Sequence, residues 1–170
     1  MTQIVDVARE PETGYVRDLM RAFIAWHHER HAEDIHLVRA YFDERAFEEE
    51  LAGLPGKYAS PNGALLLATF EKASAGCVAL RRIDDARCEM KRMFVYPQFH
   101  GKGLGLALAN AVIARAKALG YEEMLLDSGA MQTEAHSLYR RLGFTDTAPY
   151  YELPQDLREW LVFMRLDLRS

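Results

Sequence analysis

A chain of 170 residues, 49% apolar and 27% charged, has the length and balance of one globular domain with a substantial core. A net charge of −4 gives nucleic acid no overall attraction, no basic stripe is interleaved with aromatics, and no apolar run approaches the ~20 residues that span a membrane. Cys77 and Cys88 sit in apolar surroundings and form no metal-ligand cluster, and the N-terminus lacks a basic-then-apolar leader. The expectation is a single domain over residues 1–170, cytoplasmic, with no nucleic-acid or membrane partner.

From Ile4 to Ala8 a short β-branched run reads as a first strand, closed by Pro11. From Glu12, the apolar positions Tyr15, Val16, Leu19, Met20, Phe23 and Ile24 form the buried stripe of an amphipathic helix that reaches about His28. The polar segment from His27 to His36 reads as a connection bordering a substrate entrance. His27 and His31 have a spacing also used for zinc, but His-Glu-x-x-His is absent and spacing fixes no third ligand, so no metal is expected. Asp43 can cap a second helix carrying Phe47, Leu51 and Leu54, stopped at Pro55-Gly56. Its acidic run from Glu44 to Glu50 is a solvated face or a weak attraction for a cationic acceptor.

Strands follow at Ala64 to Phe70, Ala75 to Ile83 and Arg87 to Val95, and the short links between them require antiparallel neighbours. A long helix runs from Gly103 or Leu104 to Leu119, with Gly120 beyond its end. Tyr121 to Leu126 is a strand that returns parallel to Arg87–Val95 through that helix. Met131 to Leu142 is a helix stopped by Gly143, Phe144 opens a strand-like stretch, Tyr150 to Asp156 is a loop, and Trp160 to Leu168 is the last strand. The sum is an α/β fold, a mixed sheet with helices on both faces.

The stretch Gln98-Phe99-His100-Gly101-Lys102-Gly103-Leu104-Gly105 stands between a strand and a helix start. Glycines let the backbone approach a ligand, and a helix start offers free N–H groups and a positive dipole end, the usual cradle for a diphosphate. Lys102 adds a cation. A dinucleotide motif begins at Gly103-Leu104-Gly105, and Asp127 lies at a suitable distance. However, position 108 is leucine and the preceding strands form an antiparallel meander. A Walker loop fails because glycine follows Lys102.

Gln98-x-x-Gly101-x-Gly103 resembles the Gln/Arg-x-x-Gly-x-Gly/Ala signature of the GNAT superfamily of N-acetyltransferases. Glu89 to Val95 resembles that family's fourth strand, and Ala135-x-x-Leu138-Tyr139-x-x-x-Gly143-Phe144 its second signature. The resemblance implies a mostly antiparallel sheet splayed between its fourth and fifth strands. It implies acetyl-CoA as co-substrate, its pyrophosphate on the main chain of Gln98 to Gly105, including His100, Gly101, Lys102, Gly103 and Leu104. Its pantetheine arm would lie along Met93, Phe94 and Val95. Tyr139 takes the position of the general acid that protonates the leaving thiolate. Glu89 is a candidate general base, aligned by strand period with Lys91, Met93 and Val95. His100 stands where arginine is frequent, and the segment from Ser128 to Thr133 lacks the asparagine often found there.

The implied reaction is acetyl transfer to a primary amine of a small-molecule or amino-acid-like acceptor, by a monomer or homodimer. A non-catalytic acyl-CoA-binding module and a protein N-acetyltransferase are the alternatives. His27, His28, His31, Tyr150 and Tyr151 are candidates to line the acceptor side.

Overall fold

The computed structural model describes residues 1–169; Ser170, the end of the expected domain, lies outside the described residues. The chain runs β1 (Thr2–Asp6), α1 (Glu12–Arg30), α2 (Ile35–Tyr41), α3 (Glu44–Ala52), β2 (Ala64–Phe70), β3 (Ala73–Arg82), β4 (Arg87–Val95), α4 (Leu104–Ala118), β5 (Glu123–Gly129), α5 (Thr133–Arg141), β6 (Thr145–Asp146), α6 (Gln155–Trp160) and β7 (Leu161–Asp167). The strands form one sheet in the order β1-β2-β3-β4-β5-β7-β6. Among the described residues only β4 and β5 run parallel, joined through α4, and every other pairing is antiparallel.

Alternation along the strands feeds two cores. Leu65, Leu67, Cys77, Ala79 and Phe163 face one side, under α1, α2, α3 and α6. Leu66, Ala68, Val78, Leu80, Met124 and Met164 face the other, under α4 and α5. Period-two burial on both faces is what a sheet covered by helices on both sides requires.

Two segments depart from the sequence expectation. The polar connection after α1 contains a one-turn 3-10 helix and then α2, whose Leu37 and Val38 are buried. Its histidines hid a continued stripe: Val16, Leu19, Met20, Phe23, His27 and His31 are all buried, and the two imidazoles stack at a 10° interplanar angle. The expected loop from Tyr150 to Asp156 gives way at Gln155 to α6. That short helix buries Leu157 and Trp160, and the final strand starts at Leu161. Six residues carry too little periodicity to stand out from the loop they follow.

Two irregularities in β4 shape what lies above it. Its pairing with β3 shifts register between Cys77 and Ala79, because Arg92 takes a left-handed φ of 59° and adds one residue to β4. That bulge overturns the expected alignment. Met93 and Val95 join the α4-side core together with Cys88 and Met90, whereas Arg92 rests on Phe42 and Phe47 of the opposite side. Strict alternation then places Glu89 and Lys91 opposite Met93 and Val95. Meanwhile β4 and β5 pair only at Arg87–Glu123, Cys88–Met124 and Glu89–Leu125. Beyond them β5 follows β7 along its whole length, and the strands splay.

Candidate active site

A groove of about 460 Å3 runs from the glycine-rich turn to the splay. Met93, Phe94, Val95, His100, Gly101, Gly103, Leu104 and Gly105 line it, as does Phe99, and the far wall comes from Gln132, Glu134, Ala135 and Leu138. Gly101 and Gly103 hold φ values of 81° and 79°, which side chains rarely adopt. Helix α4 starts at Gly103 without a side-chain cap, so its first N–H groups are not taken by a side chain. Past Glu89, the β5-facing edge of β4 has no strand partner, which leaves main-chain donors and acceptors along one wall.

Gln98 and Lys102 do not line this groove. The Lys102 ammonium sits 5.1 Å above the Phe70 ring, and His100 donates through Nε2 to the Val95 carbonyl at 2.9 Å. A cation that sequence reasoning missed is present instead. Arg30, at the end of α1, lines the groove and binds Glu134 at 2.6 and 2.7 Å and the Met131 carbonyl at 3.1 Å. Gln132 was also missed as a replacement for the absent asparagine. Its Oε1 accepts from Gly129 N at 2.8 Å and Ser128 Oγ at 2.9 Å, and its NH2 makes no hydrogen bond among the described residues.

Phe23, Met93 and Gln132 also line a narrow cleft of about 40 Å3, so the two spaces adjoin there. Tyr139 lines this cleft. Its ring packs on Phe144, it is 5% exposed, and its hydroxyl makes no hydrogen bond among the described residues. Burial pushes its phenol well above the usual range.

The cleft's charged groups are Lys91, Arg92 and Asp127. Glu50 holds Arg92 through two bonds of 2.9 and 3.0 Å. Burial alone would raise Glu50, but the Arg92 hydrogen bonds and charge, with Lys57, pull it down to about 2. Asp127 accepts from the hydroxyls of Tyr41 and Tyr151. Burial lowers Lys91, with Asp127 and Glu89 opposing. Glu89 does not line the cleft. It is 1% exposed, accepts from Arg81 Nε at 2.6 Å and from the Tyr150 hydroxyl, and lies 3.8 Å from Lys91 Nζ. Asp127, which the sequence offered only as a nucleotide ligand, is the carboxylate that reaches the cleft.

His27 also lines the cleft, His31 lies beneath it against the β5–α5 turn, and His28 is exposed. Met131 N donates to His31 Nε2 at 3.2 Å, so His31 is neutral with its proton on Nδ1. That proton faces the His27 carbonyl at 3.3 Å and His27 Nδ1 at 3.4 Å. No third metal-binding side chain joins the pair among the described residues. Three carboxylates of the acidic run in α3 pair within the chain: Glu48 with Arg21, Glu49 with Arg45, and Glu50 with Arg92 and Lys57.

A seven-stranded sheet whose one parallel pair splays beside a glycine-rich helix start defines the class of acetyl-group transferases to which the comparisons point. The profile of the acetyltransferase (GNAT) family matches residues 36–144. An uncharacterized N-acetyltransferase of Schizosaccharomyces pombe is 38% identical over 141 residues, covering 78% of this chain and 85% of that protein. Human N-acetylaspartate synthetase is 33% identical over 122 residues, or 69% of this chain and 40% of that one. A GNAT acetyltransferase of Elizabethkingia anophelis with acetyl-CoA bound has the same fold, at a TM-score of 0.63 and 20% identity over 98% of this chain and 97% of that one. The chain belongs to the GNAT family and is an N-acetyltransferase.

Proposed function

We propose that residues 1–170 form one catalytic domain that transfers an acetyl group from acetyl-CoA to the primary amine of a small-molecule or amino-acid-like acceptor. The observation that carries this reading is the meeting of groove and cleft at Phe23, Met93 and Gln132, beside Tyr139. The donor's pyrophosphate lies on the main chain of Gly101 to Gly105, supported by the uncapped start of α4. Its pantetheine arm runs along the open edge of Met93 to Val95 and meets the spare NH2 of Gln132. Gln98, His100 and Lys102 shape the turn, and Arg30 supplies the cation on the opposite wall.

In this reading the amine attacks the thioester carbonyl, the carbon–sulfur bond breaks, and Tyr139 donates its proton to the departing thiolate. Burial keeps the phenol protonated until the thiolate forms, while also making it a weaker acid. The amine's proton passes to a carboxylate. Glu89 is the candidate from strand position, and Asp127 is the candidate that lines the cleft. Comparing the pH–rate profiles of Glu89→Gln and Asp127→Asn decides between them, since only loss of the base removes the acidic limb.

The narrow cleft supports a small acceptor over a folded protein, and similarity to an N-acetylaspartate synthetase supports an amino-acid-like one. The test is thiol release from acetyl-CoA across a panel of amines, amino acids and N-terminal peptides. Acetyl-CoA binding without turnover on any acceptor would replace this reading with a non-catalytic acyl-CoA-binding module.

A further inference from the structure

We propose that the acceptor carries a carboxylate close to its amine, and that Lys91 is the residue that selects it. This rests on the transfer reading above. The other charges at the cleft are engaged within the chain. Arg92 is held twice by Glu50 and rests on the rings of Phe42 and Phe47 at 5.4 and 5.3 Å. Asp127 receives the hydroxyls of Tyr41 and Tyr151.

Lys91 is different. Its ammonium carries three donors, its side chain is 13% exposed, and no acceptor lies within hydrogen-bond distance among the described residues. The nearest ion-pair partner is Glu89 at 3.8 Å, and Glu89 is already bonded to Arg81 and Tyr150. The ammonium lies 5.8 Å over the Tyr41 ring, and its three donors remain free to meet an anion that enters the cleft. Lys91 and Tyr139 line the same narrow cleft, so the anion that completes Lys91 must sit on the molecule being acetylated, near its nitrogen. Asp127 keeps lone pairs beyond those used by the two phenols, and these can accept the amine's N–H groups. A group pairing an amine with an adjacent carboxylate, as in an α-amino acid, satisfies both residues.

The test follows thiol release with several α-amino acids, each matched to its carboxamide and to the amine lacking the carboxyl group. For the preferred acceptor, kcat/KM for the acid should exceed both counterparts by about tenfold or more, as expected for a charge-assisted bond. Lys91→Met should erase that preference through KM of the acceptor while the KM for acetyl-CoA holds, and Lys91→Arg should restore much of it. Equal rates for acid, amide and amine, or a preference that survives Lys91→Met, overturns the assignment. If nothing is turned over, calorimetry of acid against amide on the CoA complex tests the assignment by binding alone. Preference for the acid, lost in Lys91→Met, sustains the Lys91 assignment while the transfer reading falls; no preference overturns it.

Discussion

Tyr139 stands where a single hydroxyl separates two roles. Its ring is core, packed on Phe144, and its oxygen is spare. Tyr139→Phe should therefore keep the fold and the KM for acetyl-CoA while thiol release falls by about a hundredfold or more, the usual scale of a lost general acid. His27 makes a different kind of prediction. Burial, with the nearby Arg92 charge, takes its imidazole down to about 3. A histidine depressed in the folded state binds its proton first in the unfolded chain, so stability present above the ordinary histidine range is lost as pH falls toward the folded value. Between pH 7 and pH 5 that loss is about 2 kcal/mol from this group alone. Burial depresses His31 and His136 in the same direction. Urea unfolding across that window should show the slope, and His27→Met should flatten it. By residue type these histidines look like a polar connection, because an imidazole buried by its neighbours carries the same letter as an exposed one. The i, i+4 continuation from Phe23 to His27 to His31 was the signal.

At the scale of elements, the glycine-rich turn was legible because backbone requirements leave a residue signature. Gly101 and Gly103 need positive φ, whereas a Cβ on Gly105 would meet only Leu138 at 3.7 Å. Gly103→Ala should accordingly weaken acetyl-CoA binding at least about tenfold through backbone strain, with Gly105→Ala close to wild type. Isothermal calorimetry reads both. Gly129 serves close approach instead of conformation, since a Cβ there would meet the His31 ring at 2.9 Å and Trp160 at 3.2 Å. Gly129→Ala should cost about 1–3 kcal/mol in chemical denaturation by overpacking that corner. What the sequence concealed at this scale was α6, and the direction in which Lys102 and Arg30 point. Both cations look alike as letters. The aromatic ring under one and the Glu134 carboxylate beside the other are tertiary neighbours.

Across the whole molecule, the groove joins parts far apart in the chain: α1, β4, the start of α4 and α5. Arg30 and Glu134 connect two of these walls. A ligand bound only by the native assembly should stabilise it by about 2.7 kcal/mol at a hundred times its Kd. A thermal-shift series with acetyl-CoA checks this, and Arg30→Ala should reduce the shift. The β2-β3-β4 meander, the parallel return of β5 and the helices on both faces were readable from link lengths and periodicity, whereas the places of β1, β6 and β7 in the sheet were not. The allocation of charge around the cleft was not, because Glu50 reaches Arg92 across 42 positions and Tyr41 reaches Asp127 across 86. No helix among the described residues is long and apolar enough to cross a membrane.

The extra residue at Arg92 makes β4 two half-strands in antiphase. Upstream of it, the odd-numbered Glu89 and Lys91 face the α1 side; downstream, the odd-numbered Met93 and Val95 face the α4 side. Deleting Arg92 would restore a regular ladder with every other side chain still on its present face, so what it would remove is the local kink of the strand and the guanidinium that Glu50 holds.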